Sequence, residues 1–439
     1  MKKSSLLLVS IMLLFSMFLA ACGSNNTPAA EGEKTETGTE APTKDPVKLR
    51  VFSTFGGTDA AREAFQGVLD EFVKQNPHVT IENDTMSAND DGFRTKVNTD
   101  MNSGNEPDLL FYFIGADAEG FVNAGKVVPL NQILDDNPEW KNGFIPSALE
   151  LARQKDGNIY AAPLTGFYEG LFVNKKIFEE NGLELPTDWE KMKKAVSTLS
   201  AKGIIPLSVP FDQSHYLIEH AILSAAGPES QAKGLIDGVD PNWEKGFAAM
   251  KELYDLGAFP KDAATIDLSM AGNYYSEGLA AMTLEGSWAI GGWSDEARDN
   301  STVIPFPAVP GGAGSGNDIV GGFGTGFYLS KATYDDAAKK DITIELLKFM
   351  TSPESIQKIA TANGGTPAAD VEVTGLAQVA LDGFAMAAKA ASISSPVDSK
   401  VSQETFSNLR ASVQPVVTGK KTPTAAIEEA KKTEDANKK

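Results

Sequence analysis

Between Lys48 and Phe113 the chain alternates two hydrophobic periods, and that alternation limits the folds open to it more than any other feature. Lys48-Leu49-Arg50-Val51-Phe52-Ser53 reads as a strand. Gly56-Gly57 breaks it, and Ala60 to Gln75 then carries Phe65, Val68, Leu69 and Phe72 at helical spacing. Val79-Thr80-Ile81 predicts a second strand, Phe93 to Asn102 a second helix, and Asp108 to Phe113 a buried third strand after Pro107. Such α/β units build parallel sheets whose ligands sit beyond the C-terminal ends of the strands. Thr187-Asp188-Trp189-Glu190 and Thr351-Ser352-Pro353-Glu354 each predict a capping box that opens a helix, the first running to about Lys202. No short internal period is visible, which argues against solenoids and propellers.

At 439 residues, 42% hydrophobic and 22% charged, the chain can bury the cores of two or three domains. Its 59 acidic against 39 basic residues give a formal charge of −20, a field that disfavours nucleic acid and anionic lipid as partners. A single Cys excludes an intramolecular disulfide framework and a Cys-rich metal site, and three His leave little for zinc.

Lys2 and Lys3 precede an apolar run from Leu6 to Leu19, too short to span a bilayer, which takes about 20 residues. Leu19-Ala20-Ala21-Cys22-Gly23 follows and resembles the lipobox of bacterial lipoproteins. That resemblance implies a signal peptide over 1–21, cleavage before Cys22, and acyl chains on its thiol that hold the protein to the outer face of the membrane. From Ser24 to about Asp45 there is no large apolar residue, so 22–45 is expected to be the lipidated Cys and a disordered tether. The charged end, 432–439, is expected to fray.

The motifs that would signal an enzyme fail on spacing. Gly120 to Lys126 matches the start of a phosphate loop, but Val127 stands where a magnesium-binding Ser or Thr belongs, and Gly125 reads better as a helix C-cap. His215 and His220 are five apart, whereas zinc ligands on one helical face need three or four. No Ser occupies a Gly-x-Ser-x-Gly elbow. A glycosidase carboxylate pair stays open, because it is defined by separation in space.

Several segments, in shared order and spacing, resemble the solute-binding proteins of carbohydrate ABC importers, the family that includes maltose-binding protein. They are Ser103-Gly104-Asn105-Glu106-Pro107-Asp108-Leu109 with Ala124 to Leu130, Asp156 to Pro163 leading into Leu171 to Phe178, and the segment around Trp189. Gly278 to Met282 with Glu285-Gly286-Ser287-Trp288 completes the set. The resemblance implies a periplasmic-binding-protein-like fold, two α/β lobes joined by a multi-strand hinge with the ligand cleft between them. An N-terminal lobe is then expected over 46–162 with 323–370, and a C-terminal lobe over 163–322 with 371–431.

It further implies a receptor rather than an enzyme: no catalytic residue, no metal, no cofactor, and a monomer that closes around a mono- or oligosaccharide and delivers it to permease subunits. Sugars offer apolar faces and a rim of hydroxyls, so aromatic platforms and carboxylates are the candidate ligands. Trp288 is the first, on the C-terminal lobe's wall. Phe55 and Phe113 lie at strand ends in the N-terminal lobe, with Tyr112 as the competitor for Phe113. Phe167 and Glu169 alternate onto one face near the first crossover, His215 precedes a cleft-lining helix, and Phe406 corresponds to a stacking aromatic near the C-terminus. Phe stands at most positions where the maltose proteins carry Trp, which argues against a long maltodextrin. Two other readings remain: a secreted carbohydrate-active enzyme using Glu169 and a cleft aspartate, and a peptide or metal receptor of the same architecture.

Overall fold

The computed structural model describes residues 44–437 apart from 58, 89–91, 155 and 237; the expected signal peptide, Cys22 and nearly all of the tether lie outside the described residues. In chain order the strands are β1 (Val47–Ser53), β2 (Val79–Thr85), β3 (Leu109–Phe113), β4 (Ala161–Pro163), β5 (Thr165–Asn174) and β6 (Ile205–Ser208). There follow β7 (Ala280–Gly286), β8 (Ser301–Ile304), β9 (Asp318–Gly322), β10 (Thr325–Leu329), β11 (Thr366–Pro367) and β12 (Ser392–Ser394). One sheet has the order β2-β1-β3-β10-β4; the other runs β12-β9-β5-β7-β6, with β8 and β11 also paired to β5.

The first sheet is covered on both faces, as its sequence pattern requires. β1 is parallel to β2 and to β3, while β10 is antiparallel to both β3 and β4. Leu49, Val51 and Phe111 point to the helix Arg62–Gln75, where Phe65, Val68, Leu69 and Phe72 meet them. Phe52, Leu110 and Tyr112 point the other way, onto Phe93, Val97 and Met101 of the helix Phe93–Ser103. Successive strand residues face opposite sides, so one strand feeds two cores. Each such side chain, fully buried, contributes about 1.5–3 kcal/mol of transfer free energy.

Three crossings join the sheets. The chain leaves the first after Pro163 and enters the second at Thr165; it returns from Gly322 to Thr325; and it passes from the helix Pro353–Asn363 through β11 to the helix Gln378–Lys389, which packs beside β8. The second lobe's core is built around Leu171, Leu207 and Met282 of its sheet and Trp189, Trp243 and Phe247 of its helices.

Local signals are met with small offsets. The helix Trp189–Ala201 is capped by Asp188, whose carboxylate accepts from the Lys191 N–H at 2.9 Å, so the cap sits one residue past Thr187. The helix Pro353–Asn363 is likewise capped by Ser352 rather than Thr351. Proline prefers the first helical position, where its missing N–H costs nothing, which fixes the cap immediately before it. Thr351 instead ends the preceding helix, donating to the Leu347 carbonyl at 2.7 Å and accepting from the Trp140 indole at 2.9 Å. Gly125 has φ +68, with Gly125 N–H on the Val122 carbonyl and Lys126 N–H on that of Phe121, a Schellman ending and no phosphate cradle. The last helix, Pro423–Asn437, continues past Lys432 where fraying was expected. Its Glu434 is buried and accepts from the Ser402 N–H at 2.8 Å, which ties the end down.

Candidate functional site

A cleft of about 1070 Å³ opens between the two lobes, at the upper end of the size of small-molecule sites. The chain just past β1 supplies Thr54 and Phe55, the chain past β3 supplies Ile114 and Gly115, and the chain past β7 supplies Ser287 and Trp288. Strand C-terminal ends thus deliver the lining, as sheet geometry predicts.

The second lobe's wall is aromatic. The Trp288 ring lies 5.4 Å from that of Phe167 and 5.8 Å from that of Tyr216, all three half-buried or better. Gly286 makes this possible. A Cβ there would fall 2.2–2.4 Å from the Trp288 ring carbons, so only a residue without one lets the indole fold back over the end of β7. The indole N–H donates to Glu285 Oε1 at 2.9 Å; the Gly286 N–H donates to the same oxygen at 3.0 Å, and Tyr216 adds a side-chain hydrogen bond to that carboxyl. Burial nevertheless dominates and pushes the Glu285 carboxyl up to about 7.

Within the cleft lining, Glu169 from β5 and Glu219 from the helix His215–Lys233 each influence the other's titration, and each is 2% exposed. Burial pushes Glu169 up to about 8 and Glu219 well above the usual carboxylate range, so near neutral pH the pair holds at least one proton. One oxygen of each, Oε2, is buried and has no hydrogen-bond partner. His220 stands 4.0 Å from Glu169 with its Nδ1 2.8 Å from the Tyr216 carbonyl; burial pushes the ring down to about 4, so it is neutral at pH 7 and forms no ion pair. His215 is pushed down to about 3 by burial, assisted by the charges of Arg410 and Arg94.

The first lobe answers with a cation. Arg94 is held on its own lobe by Asp117 at 3.1 Å, with its guanidinium 4.6 Å from the centre of the Phe113 ring, and reaches across to Asp398 of the second lobe at 3.0 Å. Burial outweighs that pull and sets the Asp398 carboxyl at about 6. Gln403, at the start of the helix Gln403–Val417, donates across the same seam to Asp117 at 2.8 Å. The lobes meet again where the turn Ser287–Gly292 packs Gly291 against Ala60 and the Ala362 carbonyl.

Of the residues expected to bind, Trp288, Phe167, Glu169 and His215 line the second lobe's side, and Phe113 and Phe55 the first lobe's. Tyr168 faces away, buried with its hydroxyl on the Ala380 carbonyl at 3.3 Å, so the alternation along β5 does put Phe167 and Glu169 on one face. Phe55 is only 3% exposed and sits between Phe65 and Phe111 at 4.7 and 4.9 Å, an edge of the core as much as a platform. Phe406 is outside the lining. It belongs to the buried stripe Thr405, Phe406, Leu409, Val413 of its helix and backs His215 at 5.5 Å. Sequence reasoning missed Arg94, Tyr216, Glu219, Glu285 and Asp398. Glu219 had a signal: it lies one helical turn from His215, on the same face.

A family model for bacterial extracellular solute-binding proteins matches residues 57–357. An ABC transporter extracellular-binding protein of Pyrococcus horikoshii is 28% identical over 320 residues, covering 70% of this chain and 71% of its own. The melibiose/raffinose/stachyose-binding protein MelE of Bacillus subtilis is 24% identical over 382 residues, with 82% and 80% covered. Among solved structures, a chitin oligosaccharide binding protein superposes with a TM-score of 0.80 at 25% identity, over 89% of this chain and 99% of that one. The maltose/maltodextrin-binding domain MalE of Bdellovibrio bacteriovorus, bound to maltotriose, superposes with a TM-score of 0.72 at 19% identity, over 89% and 99%. With a matching family model over most of its length, this chain belongs to the bacterial extracellular solute-binding proteins.

Proposed function

We propose that the protein is the carbohydrate receptor of an ABC importer, anchored through Cys22 to the outer face of the cell membrane, which captures a mono- or oligosaccharide and presents it to permease subunits. The observation that carries this reading is the three-ring wall of Trp288, Phe167 and Tyr216 set beside buried carboxyls in an interlobe cleft. Ring faces stack on apolar sugar faces, and carboxyl oxygens accept from hydroxyls. We assign residues 46–162 with 323–370 to one lobe and 163–322 with 371–431 to the other. The crossings between the sheets serve as the hinge.

A ligand bound to one lobe offers the other its contacts only on closure, and so shifts the equilibrium by its differential affinity. Moving from 1:99 to 99:1 takes about 5.5 kcal/mol. A thermal-shift screen over mono- and oligosaccharides, with reducing ends assayed in parallel, tests the reading: stabilisation without turnover supports it, and turnover or silence across all sugars overturns it.

A further inference from the structure

We infer that the Glu169–Glu219 pair is a subsite for a protonated amine on the bound saccharide, so that the preferred ligand is a basic amino sugar or an oligomer containing one. This rests on the carbohydrate reading above and narrows its substrate class.

The argument is one of charge and unmet hydrogen bonds. Both residues line the cleft, both are 2% exposed, and Oε2 of each has no partner. A hydroxyl has a single proton to give. An ammonium has three, fixed on one positive centre, and can serve both oxygens. The surroundings are mostly acidic: Asp398 and Glu285 act on Glu169 from neighbouring segments, Asp398 acts on Glu219 as well, and Arg94 opposes them at Glu219. The cations nearby are already engaged, Arg94 with Asp117 and Asp398, and Arg410 over the Phe406 ring. The two histidines of the same helix, His215 and His220, are held neutral by burial.

The buried pair therefore lowers its charge by holding on to protons. A bound ammonium does the same work with a permanent charge, and its arrival releases the proton to solvent. Sugars bearing carboxylate or phosphate would meet the same acids as repulsion. The formal charge of −20 attracts cationic solutes and repels anionic ones at longer range.

The test is calorimetry on the full chain at about pH 6.5, where an aliphatic amine of this kind is protonated. Hexosamines and their short oligomers are compared with the N-acetylated and the plain hydroxyl sugars of the same stereochemistry and length. The amine series should bind at least tenfold more tightly than both counterparts, and buffers of different ionisation enthalpy should show about one proton released per site. Glu219→Gln, and separately Glu169→Gln, should abolish the preference of the site for the amine series over its neutral counterparts. If a neutral or N-acetylated sugar binds as tightly as its amine counterpart, the amine subsite is refuted and the carbohydrate reading stands. If no saccharide of any series binds, both are refuted.

Discussion

Gly286→Ala separates the site from the fold. The backbone at Gly286 has φ −102 and ψ 168, which alanine adopts without strain, and the residue lies at the end of β7 opposite Glu169. The new methyl, however, would sit 2.2–2.4 Å from three ring carbons of Trp288, a distance side-chain atoms do not tolerate. Restoring van der Waals contact at about 3.5–4 Å means the indole must swing by about 1.5 Å. The ring stands on the cleft wall and not inside a closed core, so it can move. The indole N–H then leaves Glu285 Oε1, which retains the Gly286 N–H, and the Tyr216 bond to the carboxyl remains.

We expect a stability loss of about 0.5–1.5 kcal/mol, the net worth of one hydrogen bond. Saccharide affinity, in contrast, should fall tenfold or more, about 1.4 kcal/mol. Calorimetric titration and urea melts of Gly286→Ala, Trp288→Ala and the double variant form a cycle. In the Trp288→Ala background the added methyl has nothing to displace and should change affinity little. Additive losses, or full affinity in Gly286→Ala, would refute the claim that this glycine acts by placing the indole.

Three further outcomes follow from the same geometry. Arg94→Met leaves Asp117 and Asp398 without their cation across the seam; closure should lose about 1.5–3 kcal/mol, and solution scattering at a fixed sugar concentration should show a larger radius of gyration than wild type. Phe406→Ala should cost about 3–5 kcal/mol in stability with little change in affinity, because the ring is 5% exposed and backs the lining instead of forming it; the reverse result would return Phe406 to the ligand site. Stability should fall as pH rises from about 6.5 to 8, since in that window the unfolded chain has released the protons that Glu169 and Glu219 still hold. The histidines, with folded pKa values of about 3 and 4, oppose this only below about 6.5, where the unfolded rings become protonated. Glu219→Gln should flatten the decline seen in denaturant midpoints across those pH values, and an unchanged slope would exclude the pair as its source.

The first sheet was legible because its information is local. A period of two along β1 and β3, and a period of 3.6 in the helices between them, assign Val51 and Phe52 to opposite cores with no knowledge of the partner. Trp288 was legible through the resemblance of Glu285-Gly286-Ser287-Trp288 to the corresponding segment of the family. The acids and their cation were not, because their meaning lies in pairs the chain brings together from afar. Arg94 and Asp398 are 304 positions apart, and nothing in either neighbourhood announces the other. Phe406 shows the converse. An aromatic aligned with a binding position still packs inward when its helix buries the stripe that carries it.

The distribution of charge between the lobes bears on which ligands the cleft accepts. Glu169, Glu219, Glu285 and Asp398 lie on segments of the second lobe, whereas Arg94 comes from the first. Burial takes water from those carboxyls, and the raised pKa values of all four record the penalty. Arg94 offsets it chiefly at Asp398. A ligand in the cleft gains most by supplying hydrogen-bond donors to the remaining acids. The desolvation that makes the site costly therefore also makes it selective: a ligand without donors gains ring contacts but leaves the buried Oε2 atoms of Glu169 and Glu219 unmet.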